Sequence, residues 1–147
     1  MIVKNKIIRK LCVTIGVVLA ISTFCIWENN AITTTKIDYI NDKIPEEFDG
    51  YRIVHISDLH NKPFGRNQER LLKKISAVSP DIIVVTGDLI DRRKYDLETA
   101  MVFINGAVKI APVYYVSGNH EAWSGHYENI SESLINTSVQ VLDDAKP

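Results

Sequence analysis

Apolar and polar positions divide this chain into stretches with different periods. From Leu11 to Trp27 the residues are apolar almost without interruption, broken only by Thr14, Gly16, Ser22, Thr23 and two cysteines. Asn29 to about Asn41 is polar and rich in threonine, and Ile37 and Tyr39 then alternate with polar neighbours, which predicts a spacer leading into an edge strand. Pro45 and Asp49-Gly50 mark turns. Beyond them, short β-branched runs alternate with helical patterns. Tyr51 to Ile56 predicts a strand that ends abruptly in Ser57-Asp58-Leu59-His60. Asn67 to Ser79 places Leu71, Leu72, Ile75 and Val78 on one helical face, closed by Pro80. Asp81 to Thr86 is apolar without alternation, the pattern of a parallel strand covered on both faces, and runs into Gly87-Asp88. The unit repeats: Asp96 caps a predicted helix through about Lys109, and Pro112 to Val116 is a strand ending in Ser117-Gly118-Asn119-His120. A helix over Tyr127 to Asn136 and a strand over Ser138 to Leu142 complete the pattern. Strict alternation of strand and helix predicts an α/β layered fold with right-handed crossovers.

Charge sharpens the reading of the first stretch. Lys4, Lys6, Arg9 and Lys10 precede the apolar run, which at about 17 residues is at the lower limit for spanning a bilayer core of roughly 30 Å. Trp27 suits the far interface, and the basic flank predicts a cytoplasmic N-terminus with everything after Glu28 exported. The expected location is therefore the cell membrane, single-pass, with the folded part extracytoplasmic. A cleaved signal peptide is the rival, but Phe24 to Glu28 offers no small-residue cleavage site. A buried helix of a soluble core fits less well, because the run has no polar face.

Composition narrows the function classes. Acidic and basic residues nearly cancel to a formal charge of -1, so no positive field marks a general nucleic-acid binder. No strand is followed by a glycine-rich phosphate loop, which disfavours a nucleotide-binding module. Cys12 and Cys25 both lie in the apolar run, where a disulfide or zinc knuckle is implausible.

The chemistry is positional. Asp58 and His60, Asp88 and Asp91, and Asn119, His120 and Glu121 each come after the C-terminal end of a predicted strand. Ligand crevices of open α/β sheets lie outside those ends, so the three loops should share one site. Carboxylates, imidazole and an amide oxygen suit Mn, Fe or Zn rather than a thiolate site. Two such ions, bridged by a carboxylate, clamp a phosphoryl group and generate a hydroxide nucleophile at neutral pH. Taken singly, each cluster has a plain explanation as a turn: glycine supplies positive φ, and Asp or Asn caps the next segment. Three such turns at equivalent strand ends are less easily explained that way.

Asp58-Leu59-His60, Gly87-Asp88-Leu89-Ile90-Asp91 and Gly118-Asn119-His120-Glu121 resemble, in order and spacing, the D-x-H, G-D-x-x-D and G-N-H-[DE] motifs of the calcineurin-like metallophosphoesterase superfamily. With the basic-flanked apolar run, Pro45 to Gly50 and His55-Ile56-Ser57 before the first motif, the wording looks most like its bacterial membrane-associated phosphodiesterase branch. The resemblance covers residues 35 to 147 and implies the N-terminal half of a four-layered α/β/β/α sandwich. It implies two divalent metal ions (Mn, Fe or Zn), with Asp58 and His60 on the first, Asp88 bridging and Asn119 on the second. His120 would be the catalytic histidine at the leaving group, Asp91 would orient it, and Glu121 would support the site from behind. The implied reaction is hydrolysis of a phosphodiester or phosphomonoester, with a lipid-linked one among the candidate substrates, by metal-activated hydroxide.

The family's later G-H and G-H-x-H histidines have no counterpart here. His55 falls within a strand, and His126 comes too soon after Glu121 to be one of them. His126 and Arg92 are instead candidate substrate contacts, a solvated turn being the alternative for Arg92 to Lys94. Trp123 and Tyr127 could form a leaving-group platform or simply pack. The expected organisation is a membrane anchor over residues 1–28, a spacer and edge strand over 29–44, and a partial phosphoesterase domain over 45–147. Two functional expectations result: a membrane-anchored metallophosphoesterase whose sequence is incomplete, with a second chain as another way to complete the site, or an inactive truncated remnant that binds metal or a partner.

Overall fold

The computed structural model describes residues 2–142, so the last five residues of the expected 45–147 domain lie outside it. Two compact units divide at Thr35/Lys36. The first holds helix α1, Ile2–Asn30. Within it, Asn5–Asn30 has a mean hydropathy of 2.0 over its most apolar window and, at 26 residues, suits a membrane span by length and composition. Thr23 returns its hydroxyl to the Leu19 carbonyl at 2.8 Å, which satisfies a polar group inside the apolar run.

The second unit contains a four-stranded sheet: β1 Ile53–Ile56, β2 Ile82–Thr86, β3 Val113–Val116 and β4 Gln140–Val141. All three pairings are parallel, and the spatial order is the chain order, β1-β2-β3-β4. Helices α2 (Glu69–Val78), α3 (Leu97–Ala107), α4 (Asn119–Trp123) and α5 (Tyr127–Ile135) fill the connections. A strand order that advances one step at a time, with every crossover right-handed, puts every connection on one face. Burial obeys this rule. Ile83, Val85, Val113 and Tyr115 are buried on one face against Leu71, Ile75, Phe103, Ile104, Ile130 and Leu134 from the helices. The alternate residues Ile82, Val84 and Tyr114 are half-buried, so β2 is not covered equally on both faces as its unbroken apolar run predicts.

The helices begin and end close to where capping chemistry puts them. Asp96 accepts the Thr99 N–H at 3.0 Å and caps α3, and Ser79 closes α2 with φ of 51° before Pro80. Two expectations are corrected. Residues 31–41 carry no regular structure, and Ile37, Tyr39 and Ile40 are exposed, so the alternating segment pairs with neither sheet edge among the described residues. Alternation alone supplies no hydrogen-bonding neighbour, and a strand without one does not form. Asn119–Trp123, expected as loop, is the short helix α4.

Candidate metal centre

The loops leaving β1, β2 and β3 meet at the C-terminal edge of the sheet. The β1 loop is bonded to the β2 loop through its backbone: Asp58 N–H to the Gly87 carbonyl (3.3 Å), His60 N–H to Asp88 (2.9 Å) and Asn61 N–H to Leu89 (3.1 Å). Asp58, His60, Asn61 and Asp88 all hold positive φ, between 48° and 58°. Non-glycine residues in that region store strain, and here four of them cluster where the polar side chains converge.

Contact between the β2 and β3 loops depends on two glycines. A Cβ on Gly87, whose φ is +78°, would stand 2.4 Å from the Gly118 nitrogen. One on Gly118 would stand 2.3 Å from Asp88 Oδ1 and 2.6 Å from its backbone nitrogen. Only residues without side chains let the two loops touch. Glu121 then ties them. Its fully buried carboxylate accepts the N–H groups of Asp88 (2.8 Å), Ile90 (3.0 Å) and Gly118 (2.8 Å). Three backbone donors on one acid solve the satisfaction problem of a buried loop crossing and cap the first turn of α4.

Of the residues read from sequence, His60, Asp88 and His120 come together most tightly: one ligand-capable atom of each lies within 4.8 Å of the others. His60 Nε2 stands 3.6 Å from Asp58 Oδ1 and 4.0 Å from Asp88 Oδ2, too far for hydrogen bonds. Its Nδ1 is buried with no partner among the described residues. Donors held apart in this way fit a cation between them, because bonds of about 2.1 Å to one ion separate its ligands by about 3.4 Å in tetrahedral geometry. Asp58 is more exposed, and its Oδ2 receives the Ser57 hydroxyl. Asn119 is exposed at the first position of α4.

His120 is fixed at both ends. Its N–H donates to Asp88 Oδ1 (2.8 Å), and its Nδ1 accepts the Arg92 N–H (3.2 Å) and lies 3.5 Å from Asp91 Oδ1. The ring sits edge-on to that of His60, with centroids 4.3 Å apart. The Asp91 carboxyl is held below its ordinary value of 3.8, first by the Arg93 N–H bonded to it and, against desolvation, by the fields of His120, His60 and Arg93.

Two further sequence candidates, Arg92 and His126, each lie against an aromatic ring. The Arg92 guanidinium lies over the Trp123 indole, 4.9 Å from its centroid. The His126 ring stacks on Tyr95 at 4.2 Å, and Asn129 holds the Tyr95 hydroxyl at 3.1 Å. Tyr95 went unread in the sequence, and no motif pointed to it. His55, in the middle of β1, bonds Thr86 Oγ1 at 2.6 Å rather than reaching the site.

Comparison with known proteins agrees with this geometry. The family model for calcineurin-like phosphoesterases matches residues 51–144. An uncharacterized metallophosphoesterase of Campylobacter jejuni is 29% identical over 131 residues, covering 84% of this chain and 34% of that protein. A transmembrane protein with metallophosphoesterase domain from Danio rerio is 29% identical over 103 residues, 69% of this chain and 24% of its own. UDP-2,3-diacylglucosamine pyrophosphatase LpxG of Chlamydia muridarum is 36% identical over 80 residues, 48% of this chain and 23% of its own. This chain thus spans between 23% and 34% of the length of these relatives.

Proposed function

This chain belongs to the calcineurin-like phosphoesterase family, and from that premise we propose that it takes part in the hydrolysis of a phosphodiester or phosphomonoester at a membrane surface. The observation that carries the proposal is the convergence of His60, Asp88 and His120 within 4.8 Å at the ends of three adjacent parallel strands. Asp58, His60, Asp88 and Asn119 are the proposed holders of two divalent ions of the Mn, Fe or Zn type. Bound ions would supply Lewis-acid polarisation of the phosphoryl group and a water-derived nucleophile at neutral pH.

The chain's own residues supply the rest. Asp88 receives the His120 amide while presenting its other oxygen toward His60, which couples the position of the metal-holding acid to that of the histidine. With Nδ1 accepting the Arg92 amide, the neutral His120 ring carries its proton at Nε2, the atom left free to meet a leaving-group oxygen. Asp91, ionised and 3.5 Å from Nδ1, is the proposed acceptor for that nitrogen when it carries a proton in place of the Arg92 contact, and in that form it orients the ring. Glu121 holds the loops that carry both. Arg92 and His126 are the proposed substrate contacts.

A lipid-linked substrate is the reading we favour. It is supported by the apolar helix α1 and by the relatives named for UDP-2,3-diacylglucosamine pyrophosphatase activity. The basic residues that precede the apolar run within α1 favour a cytoplasmic N-terminus with the phosphoesterase part outside.

The test is hydrolysis of bis(p-nitrophenyl) phosphate by the full chain in detergent micelles. We expect turnover that requires Mn²⁺ and falls at least ~100-fold in Asp88→Ala and His120→Ala. Mn²⁺ binding without turnover would replace this reading with that of a metal-binding module.

A further inference from the structure

Asn61, the residue after His60, is polar yet buried. It is 9% exposed, its backbone lies in the left-handed region with φ of 58°, and its N–H bonds the Leu89 carbonyl at 3.1 Å. Its side chain reaches across to the loop between β2 and α3, where Nδ2 donates to the Lys94 carbonyl at 2.6 Å. The other half of that amide, Oδ1, is buried with no partner among the described residues. A neutral hydrogen bond contributes less than a buried unpaired carbonyl costs. Glycine would suit the left-handed backbone without burying that oxygen, so stability alone gives no reason for asparagine here.

The bond to Lys94 holds one end of a turn. The Lys94 N–H bonds the Asp91 carbonyl at 3.1 Å, the two residues form an isolated antiparallel bridge, and the Arg93 N–H bonds Asp91 Oδ1 at 2.9 Å. The other end of the turn meets His120: Asp91 Oδ1 stands 3.5 Å from Nδ1, and the Arg92 N–H donates to the same nitrogen at 3.2 Å. His60, by contrast, is tied to Asp88 through its backbone N–H, a bond that no change in the Asn61 side chain removes.

We propose that Asn61 is a positioning residue: through the Lys94 carbonyl, its amide fixes the 91–94 turn so that Asp91 and the Arg92 N–H hold the His120 ring with Nε2 presented to the leaving-group oxygen. This rests on the phosphoesterase reading. Asparagine combines tolerance of the left-handed backbone with a side-chain donor; glycine supplies only the first, and aspartate replaces the donor by an acceptor.

The test uses the full chain in micelles with Mn²⁺ and two variants. Asn61→Gly keeps the backbone and deletes the donor, and Asn61→Asp sets a carboxylate against the Lys94 carbonyl. Both are expected to lose about 10-fold in kcat on bis(p-nitrophenyl) phosphate, while KM and the apparent Kd for Mn²⁺ stay within about twofold. Added to His120→Ala, Asn61→Gly should cost less than about twofold more, because the ring it positions is gone. An unchanged kcat, or a loss that lowers Mn²⁺ affinity equally and adds in full to His120→Ala, would mean that Asn61 is only a fastening between loops and would overturn the proposal.

A second readout needs no turnover. The protein is labelled with ¹⁵N-histidine and its spectrum taken at about pH 8, above the ordinary histidine pKa of about 6.5, with His120→Ala identifying the His120 signals among those of the four histidines. Wild type should show the tautomer protonated at Nε2, and both Asn61 variants a pattern averaged over the two tautomers. Should no protein turn over substrate, the phosphoesterase reading fails and the ring alone decides. Averaging in both variants would sustain the positioning of His120 by Asn61, and a pattern identical to wild type would refute it.

Discussion

Replacing Glu121 should do more damage than replacing any acid whose side chain faces the cleft. Its carboxylate is fully buried and accepts three backbone N–H groups from two loops. Glu121→Ala orphans all three donors, each worth about 1.5–3 kcal/mol when bonded to a charged acceptor. Against that, the buried charge and its desolvation penalty of several kcal/mol disappear, and water can enter the vacated space. The balance is a loss of about 3–5 kcal/mol, a large fraction of the ~5–15 kcal/mol that holds a domain of ordinary stability. Glu121→Gln tests the bonding pattern rather than the volume. Its carbonyl oxygen can keep the Asp88 and Gly118 donors, but its NH₂ then meets the Ile90 N–H donor to donor, for a loss of about 2 kcal/mol. Urea unfolding of the full chain in micelles, monitored by circular dichroism, measures both. Apparent Mn²⁺ affinity should fall with stability, because the amide of Asp88 is one of the three donors. A Glu121→Ala protein within about 1 kcal/mol of wild type, or a Gln variant worse than the Ala variant, would refute the clamp.

Asp88→Asn keeps an oxygen for the His120 amide while removing the charge. The variant should unfold within about 1 kcal/mol of wild type yet lose the stabilisation by Mn²⁺, which at a hundred times Kd amounts to about 2.7 kcal/mol. Gly118→Ala forces a Cβ to within 2.6 Å of the Asp88 backbone nitrogen, and should cost about 1–3 kcal/mol in unfolding assays together with Mn²⁺ affinity. Asp96→Ala removes the α3 cap at a cost of about 1 kcal/mol near neutral pH. The Thr99 amide and hydroxyl hold the folded Asp96 pKa below its ordinary 3.8, so the cap's contribution is present above 3.8 and lost as pH falls through the lower folded value. Unfolding curves of wild type and Asp96→Ala should therefore converge in acid; a constant gap would contradict the assignment.

Much of this arrangement was legible in the sequence because local rules fixed it. β1, β2 and β3 each end where β-branched residues give way to Asp, Gly or Asn, and that change alone located the three loops. Asp96 announced α3 by position, and Pro80 with Ser79 ended α2. What escaped was long-range. The motif marked Glu121 as a support for the site but not which groups it holds, since its partners Asp88 and Ile90 lie more than thirty residues earlier in the chain. The five-residue helix α4 is too short for periodicity to register, although Gly118 with Glu121 three positions on carries half of a capping box. Ile37 and Tyr39 show the opposite failure: a strand-like alternation specifies which side chains would share a face but not what backbone lies alongside. Tyr95, which stacks on His126, could be recognised only once α5 was placed.

The single-step strand order also divides the sheet lengthwise. Every polar loop of the centre leaves from one end of the strands, while at the other end the Arg52 N–H bonds Asp81 Oδ2 at 2.7 Å and its guanidinium bonds the Val78 carbonyl at 3.0 Å. Substitutions around Arg52 and Asp81 can therefore drift, or be engineered for labels and attachment points, while the chemistry at the far end stays under separate selection. The same four strands give the protein one edge that evolution can vary and another that it must keep.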